Sequence, residues 1–300
     1  MKGFLLKLLL FFAIMFIVDR TVGSMFSYFV EHSKGGYVGH HQYMSNELDK
    51  DILVFGSSRA IHHYDAKMIE DSIGSTCYNC GQDGNGAIFN YGQWLMIKER
   101  YQPKLIIYDV YPGFDLLEGD NHKYLGWLKL YYDRKGISDI FKTVDSTEQI
   151  KMLSKLYQYN NNPVEVFADY IYPIKQIDKY GFRPLPGELD PLQIKRETNE
   201  EEVYVFDPLK IEYIEKLVED KGTADIVFVL SPCWYGMDLA SVQPIIDICK
   251  RDDLLFLDYA NDPKYVHQDV YFKDGLHLNA AGAEVFTQDL IVDINRHFHY

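Results

Sequence analysis

Five short apolar runs constrain this chain more than any other feature. They fall at residues 52–55, 76–79, 105–110, 226–230 and 254–258. Ile52-Leu53-Val54-Phe55 and Leu105-Ile106-Ile107-Tyr108 are apolar without alternation, as in strands covered on both faces. Helical spacing fills the gaps. Asp65 is placed to cap a helix through Ser72, and Ala87 to Arg100, Ile211 to Lys221 and Leu239 to Arg251 carry helical patterns. Asn279 is placed to cap a last helix that ends near Phe298. Strands alternating with helices predict an α/β fold with a parallel sheet between helical layers. In such sheets ligands bind beyond the carboxyl ends of the strands, so function is sought just after each strand.

The chain has 300 residues, 47% of them hydrophobic, enough for a sizeable core. A formal net charge of -14, with no basic stripe, excludes ordinary nucleic-acid binding. Four cysteines are too few for a disulfide scaffold. Cys77 and Cys80 have redox or zinc spacing, but no second pair completes a zinc site, and buried thiols are the preferred reading. Only the N-terminus holds a long apolar run, which excludes a polytopic membrane protein. Lys2 and Lys7 precede or open that run, which ends at Val18. An uncleaved N-terminal membrane helix, a cleaved signal and a buried helix of a soluble protein all fit. The anchor is preferred, because Thr21-Val22-Gly23-Ser24 makes a poor cleavage site. Either of the first two readings puts the remainder outside the cytoplasm, periplasmic or in the cell envelope, and secreted if the segment is cleaved. The resulting plan is an anchor or signal at 1–23, a polar connector at 24–50 and one α/β domain at 51–300. A Tyr-, Lys- and Asp-rich, mostly helical insertion interrupts that domain at about 114–205.

Three loops after strands or before helices hold reactive residue types. Gly56-Ser57-Ser58-Arg59 follows the first strand. A serine at such a turn can stand above the sheet beside the free N–H groups of a helix start, though Ser-Ser is also ordinary capping. Gly81-Gln82-Asp83-Gly84-Asn85-Gly86 follows the second strand. It is either a flexible turn or a source of backbone donors, and its spacing does not suit a nucleotide loop. Asp274-Gly275-Leu276-His277 precedes the last helix. An acid three residues before a histidine can hold one ring nitrogen and leave the other as a base.

Taken together these loops resemble the SGNH (GDSL-type) hydrolase superfamily. The likeness covers about 51–113 and 225–298 and omits the insertion. It implies a flavodoxin-like three-layer α/β/α sandwich. It implies Ser58 as nucleophile, His277 as base and Asp274 as its orienting acid. The backbone N–H groups of Ser58 and Gly84 would form the oxyanion hole. Ser57 stands where many members have Asp. The family's third block ends in G-x-N-D, whose Asn donates to the oxyanion. Here the third strand runs into Tyr108-Asp109-Val110-Tyr111-Pro112-Gly113, and Asn85 is the candidate replacement. GSSR-type members with an N-terminal anchor look like envelope acyl-transfer proteins, such as those assisting D-alanylation of teichoic acid or O-acetylation of exopolysaccharide. The resemblance therefore implies an extracytoplasmic serine esterase or O-acyltransferase. Its substrate would be an acylated glycan or other small ester, no cofactor is implied, and a membrane-embedded acyl-transfer partner would fit. The alternative is a catalytically inactive SGNH-fold binding or assembly protein of the envelope. A phosphodiesterase is disfavoured by the acidic balance.

Other residues read as structural. His62 and His63 are expected to be satisfied histidines. Arg59 either holds a carboxylate of the substrate or pairs with an acid of the chain. Trp234 and Tyr235 are placed at the rim of a pocket after the fourth strand. Asp109 and Asp115 are a candidate carboxylate pair for glycoside cleavage. Glu200-Glu201-Glu202 reads as a solvated face. His40-His41, His297 and His299 lack ligand-type company, so no metal cluster is expected.

Overall fold

A computed structural model describes residues 1–33, 35–172, 177–190 and 203–298. The triple glutamate at 200–202 and His299 lie outside the described residues. Along the chain run α1 (Lys2–His32), α2 (Gly36–Asn46), β1 (Ile52–Phe55), α3 (Ser58–His63), α4 (Ala66–Ile73), β2 (Cys77–Asn79), α5 (Ala87–Lys98) and β3 (Leu105–Asp109). Then come α6 (Pro112–Asp115), α7 (Ile137–Val144), α8 (Glu148–Lys151), α9 (Pro163–Ile171), α10 (Pro208–Asp220), β4 (Asp225–Leu230), α11 (Gln243–Asp252), β5 (Leu255–Asp258) and α12 (Ala280–His297). They form two compact units, one of Met1–Glu47 with Asn121–Lys175, the other of Leu48–Asp120 with Gln176–Tyr300.

The larger unit holds a five-stranded parallel sheet, ordered β2-β1-β3-β4-β5, among the described residues. That is the flavodoxin-type order of doubly wound sheets, and it agrees with the parallel α/β reading of the sequence. Strand side chains alternate between two covered faces. Ile52, Val54, Leu105, Ile107, Val227 and Val229 share one buried cluster with Ala60 of α3, Tyr64 just after it, Ile69 of α4, and Phe286, Leu290 and Ile294 of α12. On the other face, Asn90 of α5 donates through Nδ2 to the Tyr108 hydroxyl at 3.0 Å. There α10 lies beside α5, with the Tyr91 and Tyr213 rings 5.4 Å apart. Because β1 and β3 are adjacent (Val54 opposite Ile107), the loops after them meet at one edge of the sheet.

The smaller unit departs from the sequence reading. Residues 24–50 read as a polar connector, yet α1 continues to His32 and α2 covers Gly36–Asn46. Phe26, Phe29 and Val30 stand at helical spacing and pack with Val38, Tyr159, Val166, Trp127 and Leu130. The second half of α1 is therefore an ordinary core helix, most of whose partners lie about a hundred positions or more away. Asp19 fastens it. Its carboxylate accepts from Ser154 Oγ at 2.5 Å and from the N–H groups of Lys155 and Leu156, both at 3.0 Å.

The first half of α1 is different. Residues 1–18 are exposed on every side. The expected membrane-crossing helix is corrected here: no helix among the described residues is long and apolar enough to cross a membrane. Although α1 has 31 residues, Lys7, Asp19 and Arg20 leave only Leu8–Val18 uncharged and apolar. Such a stretch rises about 16 Å, against ~30 Å of bilayer hydrocarbon.

Asp19→Ala removes the acceptor of two backbone N–H groups. Amide hydrogen exchange at Lys155 and Leu156 is expected to speed up by about tenfold or more. Unchanged exchange would mean that packing alone holds α1 in place.

Candidate active site

The larger unit brings Ser58, His277 and Asp274 together. β1 ends at Phe55, and Gly56 follows with φ +146°. A Cβ there would lie 2.8 Å from the Asp109 carbonyl, so only glycine lets the chain turn this close to the end of β3. Ser57 caps α3, accepting from the Arg59 N–H at 3.4 Å, and Ser58 opens the helix. Ser58 Oγ lies 2.8 Å from His277 Nε2. His277 Nδ1 lies 2.9 Å from Asp274 Oδ2 and 3.0 Å from Oδ1.

The Asp274–His277 turn is held from within. Asp274 Oδ1 accepts from the N–H groups of Leu276 and His277, each at 2.9 Å. The Lys273 N–H donates to the His277 carbonyl at 2.8 Å, and Asn279 caps α12 by accepting from the Gly282 N–H at 2.9 Å. Burial by itself would raise the Asp274 carboxyl. The hydrogen bonds from His277 and from the two N–H groups outweigh it and hold the carboxyl below its ordinary range. An ionised Asp274 on Nδ1 keeps that nitrogen protonated, which leaves Nε2 to accept from the Ser58 hydroxyl.

The loop after β2 is laced to α3. Asn79 Nδ2 donates to the carbonyls of Ala60 (2.7 Å) and Tyr64 (2.9 Å), while its Oδ1 accepts from the Gly81 N–H. The Gln82 N–H donates to the Gly56 carbonyl at 3.1 Å. Gly84 has φ +68° and open space where a Cβ would be. Asn85 turns its Nδ2 to the Asp83 carbonyl at 2.9 Å, inside its own loop, and its buried Oδ1 has no hydrogen-bond partner among the described residues. No hydrogen bond among the described residues joins Gly84 or Asn85 to Ser58, His277 or Asp274.

Beneath the serine lies a buried polar network that the sequence does not reveal. Arg59, 1% exposed, donates from Nε to Ser231 Oγ at 3.1 Å and from Nη2 to the same Oγ at 2.9 Å and to the Ser231 carbonyl. Its Nε stands 3.7 Å from the fully buried Asp109 carboxylate. Asp109 also accepts from the Tyr64 hydroxyl at 2.7 Å and the Ser231 N–H at 3.3 Å. Burial raises the Asp109 carboxyl, and Arg59 and these donors oppose the rise. The acid that Arg59 pairs with is thus one of the chain's own.

His63 links this network to the Asp274–His277 turn. Its Nε2 accepts from the Leu278 N–H at 3.0 Å, so the imidazole is neutral, with its proton on Nδ1 facing Ser231 Oγ at 3.0 Å. Burial first, then the nearby Arg59, holds its pKa well below the ordinary 6.5. His62 is satisfied as well: Nδ1 lies 2.7 Å from the Arg183 carbonyl, and Nε2 lies 3.0 Å from Arg183 Nη2 and 3.2 Å from Asp83 Oδ1. Arg183 belongs to a strap that the sequence reading places inside the insertion. The Tyr180 carbonyl accepts from the Asn79 N–H, Arg183 N–H donates to the Ile61 carbonyl, and the Leu185 carbonyl accepts from the Ala280 N–H. The strap therefore runs from the end of β2, past α3, to the start of α12. Its one local signal is Arg183-Pro184-Leu185-Pro186-Gly187, which sets an extended path but names no partner.

Of three further expectations the structure overturns one, the carboxylate pair. Asp109 and Asp115 are both fully buried, so they are not a substrate-facing carboxylate pair. Burial pushes the Asp115 carboxyl to about 7, while the Tyr111 N–H and Tyr108 hydroxyl donate to it. Trp234 and Tyr235 cover the Asp274 turn: the Trp234 N–H donates to the Gly275 carbonyl, and a Cβ on Gly275 would strike the Tyr235 ring at 2.2 Å. Cys77 and Cys80 are buried free thiols. In the smaller unit, His122, Asp145 and Glu148 bring potential ligand atoms within 4.8 Å of one another, across a sequence separation that hides them. The Lys151 ammonium already sits 2.6 Å from Glu148.

No family model matches the chain, and no curated protein does. Solved structures similar to it include a family two carbohydrate esterase from Clostridium thermocellum in complex with cellohexaose. That match has 9% identity, covers 82% of this chain and 64% of that one, and has a TM-score of 0.39. Another is an acetyl xylan esterase from the rumen bacterium Butyrivibrio proteoclasticus, at 10% identity over 82% and 63% with a TM-score of 0.37. Likeness at this level carries no functional argument.

His63 makes the fold sensitive to acid. Its folded pKa is depressed, so below about pH 6.5 the unfolded chain binds a proton that the folded chain refuses, and stability falls as pH falls. The urea midpoint is expected to drop between about pH 7.5 and about pH 5.5, by less in His63→Gln than in the parent. Equal drops would show that His63 does not titrate on unfolding.

Proposed function

We propose that the larger unit is a serine esterase or O-acyltransferase of SGNH type. The observation that carries this reading is the unbroken chain of hydrogen bonds from Ser58 Oγ through His277 to Asp274. His277 Nε2 takes the Ser58 proton as Oγ attacks an ester carbonyl. Asp274 holds the ring in its tautomer and stabilises the imidazolium that forms. The tetrahedral oxyanion is held by the N–H groups of Ser58 and Gly84, with the Asn85 side chain as a third donor. His277 then gives its proton to the departing alkoxide, leaving an acyl-serine. Water or a sugar hydroxyl, deprotonated by the same ring, takes the acyl group and restores the serine.

The apolar first half of α1 supports a place at a membrane. A helix apolar nearly all round is stable only in a core or in lipid, and residues 1–18, apolar but for Lys2 and Lys7, have no core around them among the described residues. We read it as a segment that enters the bilayer without crossing it, with the two units outside the cytoplasm. The substrate is then an acyl ester on an envelope glycan or a similar molecule. A membrane-embedded protein that hands acyl groups outward is the partner such an arrangement calls for. The second reading is a non-catalytic envelope binding protein. Its support is the end of β3, where Asp109 runs into Val110-Tyr111 with no asparagine in the expected place.

The test is a fluorophosphonate probe on the full chain in detergent, with the adduct located by peptide mapping. Ser58 is expected to be labelled, and Ser58→Ala and His277→Ala to abolish labelling. Asp274→Asn is expected to slow it on the order of 10³-fold or more, because the wrong tautomer faces the serine. A folded chain that takes no label supports the binding-protein reading. With Ser58 assigned, Asn85→Ala is expected to slow ester turnover on the order of 10²-fold if its amide serves the oxyanion. Turnover at the parent rate would remove Asn85 from the site.

A further inference from the structure

A second set of exposed aliphatic side chains lies where the apolar half of α1 ends. Its interpretation rests on the reading of that half as a membrane anchor. Asp19 and Arg20 close the apolar run, and both are tied to one stretch of chain. Arg20 Nη2 donates to the Leu153 carbonyl at 2.6 Å, and Asp19 accepts from Ser154, Lys155 and Leu156. The turn leaving α8 is therefore held at the level of residues 19–20. Along it Met152 faces inward and is 9% exposed, whereas Ile150 and Leu153 are 69% and 70% exposed. The Leu153 N–H donates to the Ile150 carbonyl, so the two residues sit on one side of a helical turn.

A single exposed leucine needs no explanation. Two aliphatic tips beside a helix segment that is exposed and apolar on all sides form a patch continuous with it. Cationic side chains stand at the same level: Lys155, whose Nζ reaches Ser24 Oγ at 3.1 Å, together with Lys151, paired with Glu148 at 2.6 Å, and Arg20, paired with Asp19 at 3.5 Å and nearly half exposed. Aliphatic tips among cations with long stems match the headgroup layer of a bilayer. The tips reach the acyl boundary and the cations stay with the phosphates.

We infer that the Ile150–Leu153 turn is a second membrane contact, seated in the headgroup layer beside the point where α1 enters the lipid. A lone helix leaves its unit free to tilt and swivel about the point of entry. A second contact, fixed to the helix by Asp19 and Arg20, sets the tilt of this unit to the bilayer.

The experiment uses the full chain in vesicles of phosphatidylethanolamine and phosphatidylglycerol. All four native cysteines are buried, so a thiol dye reports on an introduced one. An environment-sensitive dye is placed at Phe12→Cys, Ile150→Cys and Leu153→Cys in separate chains. Each is quenched by aqueous iodide, by headgroup nitroxide lipids and by deep acyl-chain nitroxide lipids. The dye at 12 is expected to be quenched by the deep nitroxide. The dyes at 150 and 153 are expected to be quenched by the headgroup nitroxide, with iodide quenching reduced several-fold relative to the dye on free cysteine. Dyes at 150 and 153 as open to iodide as free dye, with the dye at 12 still in lipid, would overturn the inference and leave the anchor standing. Protection from iodide without nitroxide quenching would mean that a protein covers the turn, and would also overturn it. A dye at 12 that sees no lipid removes the anchor, and the inference with it.

Discussion

The buried pair of Arg59 and Asp109 is the constraint around which the site is arranged. Taking two charges out of water is costly unless each is well hydrogen-bonded. The chain meets part of that requirement with the Ser231 hydroxyl, carbonyl and N–H and the Tyr64 hydroxyl, while Arg59 Nη1 and Asp109 Oδ2 have no hydrogen-bond partner among the described residues. Asp109 ends β3, Ser231 follows β4, and Arg59 stands on α3, which follows β1 and leads into Tyr64. The pair thus ties three strand ends together directly beneath Ser58. His63 extends the tie to the Leu278 N–H, one residue beyond His277. The position of His277 relative to Ser58 depends on this chain of contacts as much as on the hydrogen bond between the two.

The smaller unit obeys a different rule. Its core is aromatic and short, and α1 is its longest member. One carboxylate, Asp19, divides that helix into a half packed in a core and a half outside it. The outer half is apolar on every side, which is the opposite of the amphipathic pattern of a surface helix. Hydrophobic burial stabilises this segment only if another phase supplies the contacts.

Legibility in the sequence follows the range of each interaction. Strands β1 and β3 are visible because both faces are covered, which makes the runs continuously apolar. The Asp274–His277 turn is visible because an acid and a histidine three apart meet within one turn. Ser58 is visible because a small residue after a strand and before a helix stands at the sheet's working edge. The second half of α1 reads as a connector because its apolar residues at 26, 29 and 30 are interleaved with polar ones, and most of their partners come from residues 127–166. The strap at 178–185 reads as insertion for the same reason: its hydrogen bonds reach back to Ile61 and Asn79 and forward to Ala280.

Read alone, the chain specifies the α/β class, the places where strands end and the three residue types that stand at those ends. Each of these depends on neighbours within a few positions. The folded arrangement adds that Ser58 meets His277 across 219 positions, that Arg59 turns to Asp109 and Ser231, and that Asp109 and Asp115 are sealed from solvent. The physical reason is strand order. Which loops share an edge is set by the arrangement β2-β1-β3-β4-β5, and that arrangement is a property of how the apolar faces pack, not of any one segment.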